Sequence, residues 1–188
     1  NLSEHSLEVS MIAHALAVIG NTCLGKELDA QKAAVFGMYH DATEIITGDM
    51  PTPVKYYNSR IKDSYKDIEH QASRTLLSML PERMQDAYLE IFEKKEEDAY
   101  LWKLVKAADK LSAYIKCIEE EQAGNREFIS AREMVLEKTQ ALSVSSGERT
   151  VFSSRRGKGS FCGGDRTGER LSADLFLGKR ILYFLAGI

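Results

Sequence analysis

An all-α fold, a bundle of about six helices, is what this sequence predicts, and three observations predict it. Apolar residues recur at helical spacing through most of the first 142 residues, and the alternation of a half-buried strand is scarce. The three prolines, Pro51, Pro53 and Pro81, fall where helices stop or start. At 188 residues the chain can bury one good core, so a single domain over residues 1–142 is expected.

The element order follows from caps and stripes. Ser3 is placed to cap a first helix over residues 3–19, with Leu7, Met11, Ala15 and Val18 as its core stripe. Asp29 caps a second helix that carries His40, Asp41 and Glu44 and stops at Thr47-Gly48. Its surroundings, Ala33 to Tyr39 and Ile45-Ile46, are apolar on nearly every face, the pattern of an interior helix. Pro51 and Pro53 stiffen the following loop, holding Asp49 and Thr52 near the helix end. A third helix is expected over 58–79 and a fourth over 81–94, with Pro81 in its first turn. Glu96-Glu97-Asp98 opens a fifth over 96–121, with Leu101, Leu104, Val105, Ala108, Leu111, Ile115 and Ile118 inward. Gly124 ends it, and Asn125 caps a sixth over 126–142.

Charge divides the chain. Residues 143–188 hold eight basic and four acidic residues and eight of the 13 glycines, without helical or strand periodicity, which reads as a linker or disordered segment. Its apolar end, residues 171–188, reads as a short docking helix, and the whole tail as an atypical Gly-rich basic segment of foreign or frame-shifted origin rather than a phosphate- or RNA-binding arm. The body is acidic and the net charge is −3, which does not suggest a nucleic-acid surface. Cys23, Cys117 and Cys162 lie far apart with no CxxC spacing, as expected of a reducing cytoplasm. No run approaches roughly 18 uninterrupted apolar residues, and no signal pattern opens the chain. Asn1 leads almost at once into a helix without a Met, so the front is expected to be truncated.

Chemistry concentrates in Tyr39-His40-Asp41-Ala42-Thr43-Glu44. On a helix, residues three and four apart share a face, so Glu44 projects beside His40 and Asp41. Buried charge needs a partner, and imidazole with carboxylate suits Mn, Co, Fe, Ni or Zn. His5, in the first turn of one helix, and Asp109, beside the core stripe of another, complete two imidazoles and two carboxylates, enough for a site that keeps positions for water and substrate. The plain alternatives are a hydrogen-bonded polar cluster for His40-Asp41-Glu44, a capping His5, and an Asp109 paired with a lysine. His14, about 180° round its helix from His5, reads as structural, and His70 as solvated.

Four segments, Asn1-Leu2-Ser3-Glu4-His5-Ser6-Leu7, the His40-Asp41 run, Thr47-Gly48-Asp49-Met50-Pro51-Thr52-Pro53-Val54-Lys55 and Lys106-Ala107-Ala108-Asp109, resemble the bacterial 5′-deoxynucleotidases of the HD-domain superfamily. The likeness runs to about residue 142. It implies an HD-domain helical bundle, a cytoplasmic homodimer, and hydrolysis of 2′-deoxynucleoside 5′-monophosphates with a divalent metal such as Co or Mn. It further implies metal ligation by His5, His40, Asp41 and Asp109, a water-handling role for Glu44, and substrate contacts from His5, Asp41, Asp109 and the loop Asp49, Met50, Pro51 and Thr52. The family's phosphate-orienting Arg-Trp pair precedes its first ligand, ahead of Asn1. The rival expectations are an HD-type hydrolase of nucleoside triphosphates, cyclic dinucleotides or alarmones, and a non-catalytic metal-binding helical module. The polyphosphate-type rivals call for extra basic residues, and no such cluster is apparent near these segments.

Overall fold

The computed structural model describes residues 1–135 apart from 56, 130 and 134, and the backbone alone at 52 and 53. Helix α1 spans Leu2–Leu24, α2 Ala30–Tyr39, α3 Glu44–Thr47, α4 Thr52–Lys55, α5 Ser59–Ser78, α6 Glu82–Phe92 and α7 Ala99–Gln122, with a 3-10 turn, Glu96–Asp98, leading into α7. No strand occurs among the described residues, as an all-α reading requires. The five long helices are those expected, while α3 and α4 are single turns. The expected helix over 126–142 is a turn at 126–127 and helical at 128–129, 131–133 and 135, and residues 130, 134 and 136–142, with the tail over 143–188, lie outside the described residues.

Helices α1, α2 and α7 pack on one another around Val9, Ile12, Leu16, Phe36, Leu104, Val105, Ala108 and Ile115. Phe36 and Trp102 stack at 4.6 Å between ring centroids on the α2–α7 side. A second layer, α5 and α6, joins the first through α2, and α3 and α4 lie against α5. Helix α1 is long and apolar enough to cross a membrane, yet its packing against α2 and α7 is that of a core helix.

Asn1, not Ser3, caps α1, its side chain accepting from Glu4 N at 3.1 Å, and the helix continues past residue 19 to Leu24. The inward face of α1 is also not the expected one. Leu7, Met11 and Val18 are exposed, whereas Val9, Ile12, Ala13, Leu16 and Ala17 are fully buried. The two stripes have the same period and are offset by two residues, about 200° round the helix, so periodicity alone could not choose between them. Space decided it: the buried stripe is flanked by Ser6, Ser10 and Gly20, small residues that admit close neighbours. A Cβ on Gly37 of α2 would lie 2.8 Å from Ser10 Cα and 3.1 Å from Val9 O. On α7, Cys117 is buried where Ile118 was expected, and the rest of the expected stripe is inward.

The second helix is broken. It ends at Tyr39, and residues 40–43 turn through shorter bonds, Ala42 N to Tyr39 O at 3.1 Å and Glu44 N to Asp41 O at 2.9 Å, before α3 begins. His40 Nδ1 sits 2.7 Å from the Gly37 carbonyl, the acceptor that a continuing helix would offer to Asp41 N–H. Nor is the segment interior: Ile45 is 70% exposed, Ile46, Val35 and Met38 are exposed, and α3 buries no residue. Apolar composition identified a helix and misjudged its surroundings. Gly48 stops α3 as expected, with φ 66° and its N–H on Glu44 O at 2.9 Å. The stiff loop after it is shorter than expected, because Pro51 O takes Val54 N and Lys55 N to start α4. Tyr65 of α5 donates to Gly48 O at 3.2 Å, which ties that loop to the second layer.

Candidate active site

Three elements deliver the polar cluster. His5 comes from the first turn of α1, His40 and Asp41 from the turn after α2, and Asp109 from the middle of α7. His5 Nε2 lies 3.3 Å from Asp109 Oδ1 and 3.6 Å from Asp41 Oδ2, and His40 Nε2 lies 2.9 Å from that same Asp41 oxygen. The two imidazoles are 5.4 Å apart. His5, His40 and Asp41 each offer an atom within 4.8 Å of the others, and Asp109 joins through His5. The four residues expected to share a cation are therefore brought together.

His40 is the most telling member of the cluster. A carbonyl only accepts, so the contact with Gly37 O puts the proton on Nδ1 and directs Nε2 at the cluster. That Nε2 is buried and has no hydrogen-bond partner, because the nearby Asp41 oxygen is in range but out of line. A buried nitrogen left unpaired beside a carboxylate and a second imidazole is the donor set of a divalent transition cation, so these residues fit one.

Without a cation, protons do the cation's work. Hydrogen bonding to Asp109 and then to Asp41 pushes His5 up to about 10, against burial. Burial acts to lower His40, and the adjacent Asp41 carboxylate outweighs it, so its net shift is upward. Burial would raise Asp41, and His40 and His5 hold it well below the usual carboxylate range. Glu44 behaves oppositely. Burial first, then the charges of Asp41 and Asp49, push its carboxyl up to about 7, so it is a base poised near neutrality at the rim of the cluster.

The loop residues divide. Asp49 is exposed and acts on Glu44 through its charge, Met50 is half-buried, Pro51 is exposed, and the expectation for the Thr52 side chain lies outside the described residues. His14 and His70 are exposed and stand apart from the cluster. Three features escaped the sequence reading. The Lys94 ammonium is lowered by burial, then by Lys106, with Glu69 opposing, then by Lys55, with Asp41 opposing, so Lys94 lies within the field of Asp41. Ser112 and Glu8 are the others: Ser112 Oγ lies 3.1 Å from His5 Nδ1 and donates to Glu8 Oε2 at 2.7 Å. Their signal was spacing, since Glu8 follows His5 by three residues and Ser112 follows Asp109 by three.

A helical bundle with a His-Asp cluster at the meeting of its helices is the arrangement of HD-domain phosphohydrolases, and the solved structures agree on the fold. An HD-domain phosphohydrolase from Listeria innocua superposes with TM-score 0.63 at 23% identity, over 76% of this chain and 71% of that one. A conserved hypothetical protein from Pyrococcus furiosus superposes with TM-score 0.55 at 27% identity, over 76% and 74%. Within that class, the family model for YfbR-like 5′-deoxynucleotidases matches residues 1–154. A 5′-deoxynucleotidase of Erwinia tasmaniensis is 48% identical over 141 residues, 75% of this chain and 71% of that protein. The 5′-deoxynucleotidase YfbR of Escherichia coli O1:K1 / APEC is 49% identical over 132 residues, 70% of this chain and 66% of its own length. The chain belongs to the YfbR-like 5′-deoxynucleotidase family, whose named activity is that of a phosphoric monoester hydrolase.

Proposed function

We propose that this chain hydrolyses 2′-deoxynucleoside 5′-monophosphates to deoxynucleoside and phosphate, with a divalent transition metal, Co or Mn, held by His5, His40, Asp41 and Asp109. The observation that carries the reading is the buried, unpartnered His40 Nε2 beside the Asp41 and His5 donor atoms. When bound, the cation would neutralise phosphoryl oxygens and acidify water. The chain's own residues do the rest. Glu44 takes a proton from the attacking water as its oxygen bonds to phosphorus, the bond from phosphorus to the 5′ oxygen breaks, and the departing oxygen is protonated from solvent. Lys94, which feels the charge of Asp41, helps to offset the dianion's charge. Asp49, an exposed carboxylate that would repel phosphate, suits a sugar hydroxyl, with Met50, Pro51 and Thr52 shaping the wall beside it. His5, Asp41 and Asp109 border the substrate as well as the cation.

The exposed stripe Leu7, Met11 and Val18 on α1 supports a homodimer, since it presents large apolar groups that the described residues leave uncovered. Cytoplasmic location fits Cys23 and Cys117, which are unpaired.

Phosphate release from deoxyadenosine and adenosine monophosphates with added Mn or Co tests the reading. Turnover is expected on the deoxy substrate, and Glu44→Gln should reduce it by about 10²–10⁴-fold while metal binding persists. The rate should fall as the medium is acidified, because Glu44 must be ionised to accept a proton. A substrate with more phosphates is the rival reading, and it would draw on Lys94 and its lysine neighbours. Release of pyrophosphate or triphosphate by enzyme inert on monophosphates would overturn the proposal in favour of that rival.

A further inference from the structure

We propose that Ser112 and Glu8 form a positioning relay that fixes the tautomer and orientation of His5, so that its Nε2 is presented to the cation. The inference rests on the metal site proposed above and on the count of hydrogens along the chain Glu8, Ser112, His5. A serine hydroxyl has a single hydrogen. Ser112 donates it to Glu8 Oε2 at 2.7 Å, because an ionised carboxylate only accepts. What Ser112 Oγ has left, 3.1 Å from His5 Nδ1, is a lone pair. Nδ1 must therefore carry the proton, and the lone pair of the neutral ring is on Nε2, the nitrogen facing Asp41 and Asp109.

Placement makes the relay rigid. Ser112 is 1% exposed in the middle of α7, so its hydroxyl has no solvent to turn to. Glu8 is half-buried one turn beyond His5 on α1, so ring and carboxylate ride on one helix and the hydroxyl between them on another. His40 reaches the same state by a simpler device, Nδ1 on the Gly37 carbonyl. Both imidazoles are thus set with Nε2 inward, one by backbone and one by the relay. An anionic end to a hydrogen-bonded chain also raises the basicity of the ligand nitrogen.

The test is cobalt titration followed by absorption, together with long-range proton–nitrogen spectra of the zinc form. The wild type is expected to bind Co and, with zinc, to show His5 protonated at Nδ1 and coordinated at Nε2. Ser112→Ala should weaken Co binding about tenfold and abolish the slowly exchanging Nδ1 proton. Glu8→Ala should weaken binding less, about threefold, and decides the matter if Ser112→Ala does not fold. Unchanged affinity in the folded variants, or zinc on His5 Nδ1, overturns the relay and leaves the metal site standing. A wild type that binds no cobalt overturns the metal site and the relay with it.

Discussion

His5 on α1 and Asp109 on α7 meet at 3.3 Å, Nε2 to Oδ1, and Asp41 closes on the same nitrogen at 3.6 Å. Two helices distant in the chain are thus joined at one imidazole. Its charge sets the strength of the joint, since in the metal-free chain the ring stays protonated between two carboxylates.

The metal-free chain is therefore expected to lose stability in alkali. His5 is raised from 6.5 to about 10, so its contribution is complete below the unfolded value and disappears as pH climbs through about 10. Thermal denaturation in chelator should show Tm falling between pH 7 and pH 10, with about 2–4 °C for each kcal/mol lost in a chain of this size. His5→Gln should flatten that slope. A wild-type Tm independent of pH over this range would contradict the clamp.

Metal uptake should expel protons. At pH 7 a cation reaching His5 Nε2 must displace the proton held there, and His40, also raised, adds to the release. Affinity should rise about tenfold per pH unit for each proton displaced. Titration calorimetry in two buffers of different ionisation enthalpy measures the number directly, and equal heats in both would rule the release out.

Legibility followed locality. Asp29, Asn58 and Pro81 mark helix starts by their own side chains or ring, and α2, α5 and α6 begin where those residues place them. The inward face of α1 was illegible because both stripes are apolar and only the partners' shapes distinguish them. The end of α2 was illegible for another reason: His40 spends its ring nitrogen on the Gly37 carbonyl, a local side-chain-to-backbone contact that helix propensity does not record. The cluster of His5, His40, Asp41 and Asp109 was legible through residue types and motif wording, and its Ser112–Glu8 support only once α1 and α7 are known to be neighbours. Lys94, two residues past the end of α6, lies within the field of Asp41, a relation that sequence distance conceals.

Removing the cation Lys32 should be costly. Its Nζ is 2.7 Å from Asp98 Oδ1, and Asp98 is 4% exposed with Oδ2 lacking a hydrogen-bond partner. Lys32→Met leaves that carboxylate buried and uncompensated, an expected loss of about 3–5 kcal/mol in urea unfolding. Lys32→Met with Asp98→Leu should recover most of it, since both charges are then gone. If the single variant costs nothing, Asp98 is hydrated and the pair is a surface contact.

Gly37→Ala sets two effects against each other. Alanine gains about 1 kcal/mol of helix propensity over glycine, but the new Cβ would sit 2.8 Å from Ser10 Cα and 3.0 Å from Ser10 N. Both obstacles are backbone of α1 and cannot rotate away, so α1 must move off α2, at a net cost of about 1–3 kcal/mol. The displacement carries His5 away from His40, whose ring takes its bearing from the Gly37 carbonyl at 2.7 Å. The variant should thus lose metal affinity along with stability, whereas Ala33→Gly, in the same buried layer but remote from that carbonyl, should lose stability alone. Cobalt titration beside urea unfolding separates the two, and Gly37→Ala with wild-type affinity would show that the spacing of α1 and α2 does not set the site.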